Sequence, residues 1–230
     1  MKENNIIVLN LNRAESRKNN LIDQFKERNI SNYFFLPAYD GRYMTNLTIS
    51  ANIGIGYGSG RNFQKAELAI IMSHLSAIKY AQMMGLDEVI ILEDDVVLCN
   101  DWNERLEILK TAIPSDWEHI YLSGHSDYVK FKKYEIPTII KSPKMVGAFA
   151  YMVKKDAYSK IINYCTSFMT TLDDMIMHMI DQKKLNSYAY FPFMAFHNAD
   201  DSFVWDGEKP GHLAHKNNMH SSYSYFKFNT

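Results

Sequence analysis

The chain has 230 residues, 47% of them hydrophobic and 22% charged, with 25 Lys and Arg facing 26 Asp and Glu. These proportions exclude wholesale disorder, and the net charge of −1 removes the basic footprint of a dedicated nucleic-acid binder. Cys99 and Cys165 stand in no metal-ligand spacing, so a disulfide scaffold and a zinc ribbon are both disfavoured. Two buried thiols are the favoured reading over a Cys99–Cys165 bridge. No apolar run approaches the ~20 residues that cross a bilayer. The polar start Met1-Lys2-Glu3-Asn4-Asn5 leads to no small-residue cleavage site, so a cytoplasmic chain is expected, peripheral membrane association remaining compatible.

Along the chain, short apolar runs alternate with longer amphipathic ones. Ile6 to Leu9 is apolar on both faces, as a strand covered by helices on each side should be. A helix is predicted from Glu15 to Arg28, with Leu21, Ile22 and Phe25 on one stripe and charges placed to match its dipole. Tyr33 to Leu36 completes a strand–helix–strand unit and with it a parallel sheet. Ala38 to Asn62 is irregular, and its Gly54–Gly60 run lacks the spacing of a dinucleotide fingerprint. It reads as a flexible lid or a plain connector.

A helix follows from Phe63 to Met84, carried by Leu68, Ile71, Met72, Leu75 and Ile78 at helical spacing. Val89 to Leu92 is another buried strand, stopped by Glu93-Asp94-Asp95. Leu106 to Ile113 suggests a short helix, and His119 to Leu122 a fourth strand. Thr138–Ile140 and Val146–Val153 read as two strands joined by a turn at Pro143-Lys144. Helices are expected over Ala157–Phe168 and Leu172–Ile180, and a last strand over Tyr188–Phe193. The whole reads as one α/β domain, 1–230, with a ragged C-terminal third.

Three adjacent acids ending a buried strand are the main chemical signal. Ligands of open α/β sheets bind outside the carboxyl ends of the strands. Residues two apart in an extended backbone point the same way, so Glu93 and Asp95 share a face and Asp94 opposes them. Two confined carboxylates repel, and a divalent cation removes the conflict. Oxygen ligands suit Mg²⁺ or Mn²⁺. Such an ion favours a phosphate partner, because a unit charge pair at about 4 Å is worth ~4 kcal/mol at an effective dielectric of about 20. A solvated acidic turn is an equally weighted alternative. The second acidic pair, Asp173-Asp174, opens a predicted helix. A helix cap explains it, and a general base is the functional alternative.

Four ordered segments resemble glycosyltransferase family 25, which includes lipopolysaccharide-type galactosyltransferases and collagen galactosyltransferases. They are Ile7 to Arg13 with Glu15-Ser16-Arg17, Glu67 to His74, Ile91 to Val96, and Gly147 to Val153 with Lys155-Asp156-Ala157 and Asp173 after it. The resemblance implies a GT-A type, Rossmann-like sandwich: a mostly parallel central sheet flanked by helices, with an irregular C-terminal region. It further implies a UDP-sugar donor and a divalent cation, Mn²⁺ or Mg²⁺. Residues 1–125 would form the nucleotide-sugar half and 126–230 the acceptor side. Asn10, Leu11, Arg13, Ala38, Asp40, Glu93 and Asp94 would lie against the nucleotide sugar. Glu93 and Asp95 would bind metal, and Asp173 or Asp174 would be the base. A histidine near the C-terminus would complete the metal shell: His197 or His215 in first place, with His212 and His220 also available. Glu67 and His74, two helical turns apart, would buttress the site. Lys65-Ala66 stands where relatives often carry Gly, and the C-terminal third departs from the family pattern. Phe203, Trp205 and Tyr190 are the aromatic residues expected near the acceptor side.

The function this implies is transfer of a hexose such as galactose or glucose, with inversion, to a hydroxyl of a glycan, lipooligosaccharide or hydroxylysine-type protein acceptor. A non-catalytic nucleotide-sugar or carbohydrate-binding module on the same fold is the alternative. A nucleotidyltransferase ranks last, because no basic, glycine-rich phosphate loop follows the first strand.

Overall fold

The structure, a computed structural model, describes residues 5–45, 65–124, 138–141, 145–168 and 170–197. The Gly54–Gly60 run, the Pro143-Lys144 turn, Phe203, Trp205, His212, His215 and His220 lie outside the described residues.

A seven-stranded sheet in the order β2-β1-β3-β7-β5-β8-β6 organises the chain. Its strands are β1 (Ile6–Asn10), β2 (Tyr33–Pro37), β3 (Glu88–Glu93), β5 (His119–Tyr121), β6 (Thr138–Lys141), β7 (Ala150–Lys154) and β8 (Ser187–Phe191). Two short strands, β4 (Val96–Leu98) and β9 (Ala195–His197), pair separately. The helices are α1 (Glu15–Glu27), α2 (Lys65–Met83), α3 (Trp102–Ala112), α4 (Lys155–Cys165) and α5 (Leu172–Asp181). β1, β2, β3, β5 and β8 run one way, and only β6 and β7 run against them. The α/β fold class read from the sequence is the one observed.

Period-2 alternation sends neighbouring residues of one strand to opposite layers. Ile7, Leu9, Val89 and Ile91 pack with α2, α4 and α5, whereas Ile6, Val8, Ile90 and Leu92 pack with α1 and α3. That double coverage is why β1 is apolar from Ile6 to Leu9 and β3 from Val89 to Leu92. Leu21 and Phe25 seat α1, and Trp102, Leu106 and Leu109 seat α3. Each side chain fully buried in this way contributes about 1.5–3 kcal/mol of transfer free energy. Cys99 and Cys165 are buried and unbridged.

Several local expectations are corrected. Thr138–Ile140 and the strand after Val146 do not form a hairpin; β6 pairs with β8 at the sheet edge, and β7 lies between β3 and β5. The predicted strand Val146–Val153 shortens to β7, because Gly147 takes φ +91 and breaks the extended run. Phe168, at φ 47, lies beyond the end of α4 at Cys165. Tyr190 is fully buried in β8, a core residue and not an acceptor-side ring.

The reversed direction of β7 matters for the site. Its N-terminal approach, Gly147 to Phe149, arrives at the edge where the parallel strands end: Leu92 is opposite Ala150, and the Glu93 N–H donates to the Phe149 carbonyl at 2.8 Å.

Candidate active site and divalent-metal centre

Chain leaving β3 turns at Asp94-Asp95 and enters β4, which pairs antiparallel with β9 in a register that sets Val96 opposite His197. This pairing carries His197 back to the acidic turn. One ligand atom from each of Glu93, Asp95 and His197 lies within 4.8 Å of the other two. His197 Nε2 stands 3.1 Å from Asp95 Oδ2. Burial pushes the pKa of the His197 ring down, but Asp95 and then Glu93 outweigh it, so the net shift is upward. Phe149 closes the far side, its ring 4.4 Å from the His197 ring.

A second group fixes Asp94. Its Oδ2 accepts from Asn10 Nδ2 at 2.7 Å and from the Leu11 N–H at 3.4 Å. One Arg17 nitrogen reaches both Asp94 and Asp95 at 3.2 Å. Asp94 is only 8% exposed, and burial, with Asp95 adding to it, raises its pKa. Asp94 therefore cross-links the end of β1, helix α1 and the acidic turn from inside the protein. Glu93 and Asp95 come close together, but Asp94-Asp95 lie in a turn, so the extended strand from which a shared face was expected does not continue past Glu93.

The remaining predicted nucleotide-side residues gather at the ends of β1 and β2. The Ala38 N–H donates to the Asn10 carbonyl at 2.9 Å. Arg13 Nε donates to Asp40 at 2.8 Å, and Arg42 grips the same carboxylate at 2.7 Å. Arg42 first, then Arg13, hold the Asp40 carboxyl well below the usual carboxylate range, burial opposing them.

Asp173 and Asp174 divide their tasks at the start of α5. Asp174 accepts from the Thr170 hydroxyl at 3.0 Å, and Asp173 accepts from the Gly147 N–H at 2.9 Å. Asp173 thus holds the start of the strap that leads to Phe149, whose carbonyl accepts from the Glu93 N–H. A cavity beside it is lined by His119, Tyr121, Gly147, Tyr151 and Ile176. Burial pushes the His119 ring down to about 3, so it is neutral at ordinary pH. Glu67 is buried on α2. His74 pairs with Glu93 at 3.2 Å and with the Tyr151 hydroxyl at 2.9 Å. Tyr151, Phe149 and Arg17 are neighbours that sequence reasoning did not assign to the site. Arg17 lay inside a quoted motif, but nothing local distinguishes Tyr151 from a core aromatic.

The order of these residues along the chain has a counterpart elsewhere. The family model described as Glycosyltransferase family 25 (LPS biosynthesis protein) matches residues 3–177. The chain belongs to glycosyltransferase family 25. Inactive glycosyltransferase 25 family member 3 of Homo sapiens is 26% identical over 197 residues, 80% of this chain and 33% of that protein. Procollagen galactosyltransferase 2 of Homo sapiens is 24% identical over 169 residues, 68% of this chain and 27% of that protein. The chain spans a third or less of the length of the curated relatives it matches. Among solved structures, a glycosyltransferase involved in the glycosylation of the major capsid of PBCV-1 aligns with TM-score 0.49 at 8% identity. That alignment covers 94% of this chain and 98% of the other.

The family 25 chain carries a donor set that fits a hard divalent cation: two carboxylates and one imidazole. Asp95 Oδ1 and His197 Nδ1 are buried with no hydrogen-bond partner among the described residues. A buried carboxylate oxygen left unpaired is costly, and a cation held by these three residues would satisfy it. No helix among the described residues is long and apolar enough to cross a membrane.

Proposed function

We propose that this chain is a metal-dependent, inverting glycosyltransferase that moves a hexose from a UDP-sugar to an acceptor hydroxyl. The observation that carries the reading is the convergence of Glu93, Asp95 and His197 within 4.8 Å, with a buried Asp95 oxygen that has no hydrogen-bond partner among the described residues. Those three residues would hold Mn²⁺ or Mg²⁺, which supplies charge neutralisation for the departing diphosphate.

The chain's own groups account for the rest. Asn10, Leu11, Arg13, Ala38 and Asp40 border the nucleotide side at the ends of β1 and β2. Arg17 and Asp94 keep the acidic turn in place from behind. Asp173, set by Gly147, takes the proton from the acceptor hydroxyl, and the oxygen attacks the anomeric carbon from the face opposite UDP. Asp174, occupied with Thr170, serves the helix start. The acceptor is a glycan, a lipooligosaccharide or a hydroxylysine-type protein side chain, met on the side of the chain beyond residue 125.

A second reading, a nucleotide-sugar-binding module without turnover, is favoured by relatives whose names call them inactive. One experiment separates the two. Purified protein is given Mn²⁺, a panel of UDP-sugars and candidate acceptors, and UDP release is followed. Asp95→Ala should abolish turnover, and Asp173→Ala should lower it roughly 10²–10⁴-fold while leaving UDP affinity intact. Binding of UDP-sugars with no turnover from any of them would establish the module instead.

A further inference from the structure

His74, on α2, is 1% exposed and lies between two partners. Its Nε2 is 3.2 Å from Glu93 Oε1, and its Nδ1 is 2.9 Å from the Tyr151 hydroxyl. The two rings stack at 26° with centroids 5.6 Å apart. A carboxylate only accepts, so Nε2 must carry the hydrogen that meets Glu93. In the neutral ring Nδ1 is then a lone pair, and among the described residues its hydrogen-bond partner is the Tyr151 hydroxyl, which must donate. The alternative tautomer would aim the Nε2 lone pair at Glu93 Oε1 and repel it.

Tyr151 is itself locked. It sits in β7 opposite Ile91 of β3 on one side and Tyr121 of β5 on the other. Burial holds its phenol well above the ordinary range, so it stays a donor. Three strands and one helix thus converge on the orientation of a single carboxylate. Partners one shell beyond a metal commonly fix the rotation and basicity of the ligands they touch.

Building on the metal-dependent reading above, we infer that Tyr151 is a positioning residue: its hydroxyl selects the Nε2–H tautomer of His74, which holds Glu93 turned toward the cation. Tyr151 touches neither substrate nor metal in this scheme. Its effect passes entirely through His74.

The test joins nitrogen-15 NMR of histidine-labelled protein to Mn²⁺ titration by electron paramagnetic resonance with UDP present. The wild type should show His74 as the Nε2–H tautomer. Tyr151→Phe, which removes only the hydroxyl, should populate the Nδ1–H tautomer and weaken Mn²⁺ binding roughly 10–100-fold. In a His74→Ala background the same change should have no further effect on Mn²⁺ affinity. A wild-type His74 found as Nδ1–H overturns the proposal without any variant. Wild-type protein that binds Mn²⁺ while Tyr151→Phe binds it equally well overturns the positioning role alone. Wild-type protein that binds no Mn²⁺ overturns the metal reading, and the positioning role with it.

Discussion

Gly147 donates its backbone N–H to Asp173 at 2.9 Å, and two residues later the Phe149 carbonyl accepts from the N–H of Glu93 at 2.8 Å. The proposed base and a proposed metal ligand are therefore tied to the same three residues. Three residues span at most about 11 Å even when fully extended, so the strap limits how far the two acids can part. The strap exists because β7 runs against its neighbours and begins where they end.

Gly147→Ala should break this coupling. Gly147 has φ +91, a conformation costing roughly 1–3 kcal/mol for other residues. An added Cβ would meet the Phe149 ring at 2.4 Å, and that ring packs on His197. We expect a fall in Tm of roughly 4–8 °C for about 2 kcal/mol lost. Turnover should fall further than stability alone explains, because Asp173 and His197 move together. Calorimetry and a UDP-release assay on one preparation check this; unchanged turnover would mean the strap does not set the site.

His197→Ala tests the third ligand. Removing the ring should weaken Mn²⁺ binding tenfold or more, as losses at metal sites commonly do. His197→Gln keeps a polar group of similar reach and should recover part of the affinity. Titration of Mn²⁺ in the presence of UDP measures both. Equal affinity across the three proteins would leave the metal to Glu93 and Asp95 alone.

Much of this site could be read from residues in order, and one part could not. Glu93, Asp95, Asp173, Asn10 and Arg13 stand at the ends of strands or the start of a helix, and those ends were marked by β-branched runs and by acids where apolar residues stop. His197 was one histidine among several because β4 and β9 have only three residues each, too few for any period to register. Their pairing, Val96 opposite His197, is a contact between segments about a hundred residues apart, decided by packing and not by local propensity. The same holds for Tyr151. Its place in the run Val146–Val153 marks it as a strand residue, but whether its hydroxyl meets a partner depends on where α2 places His74. The reversed insertion of β7 was equally hidden, since strand pattern reports burial and not direction.

Arg17→Met should expose the electrostatic strain of the acidic turn. Arg17 is the cation between Asp94 and Asp95, and all three side chains are at most 10% exposed. Removing one member of such a buried pair typically costs about 3–5 kcal/mol, because the opposite charge stays behind unpaired. Urea unfolding should show a lower midpoint with an unchanged slope. An unaltered midpoint would mean that Asn10 and the Leu11 N–H suffice to hold Asp94.

Acid should unfold this protein partly through His119. The ring is 2% exposed and its Nδ1 is 2.9 Å from the Ser187 hydroxyl, with burial pushing its pKa from 6.5 down to about 3. The unfolded chain therefore binds a proton below pH 6.5 that the folded chain refuses until about pH 3. Stability from this group is complete above pH 6.5 and drains away as pH falls toward 3, by at most about 1.4 kcal/mol per pH unit. His119→Gln, which cannot charge, should be less stable at neutral pH yet show a shallower loss between pH 6 and pH 4. Urea unfolding of both proteins across that range gives the slopes. Parallel slopes would place the acid sensitivity in other groups.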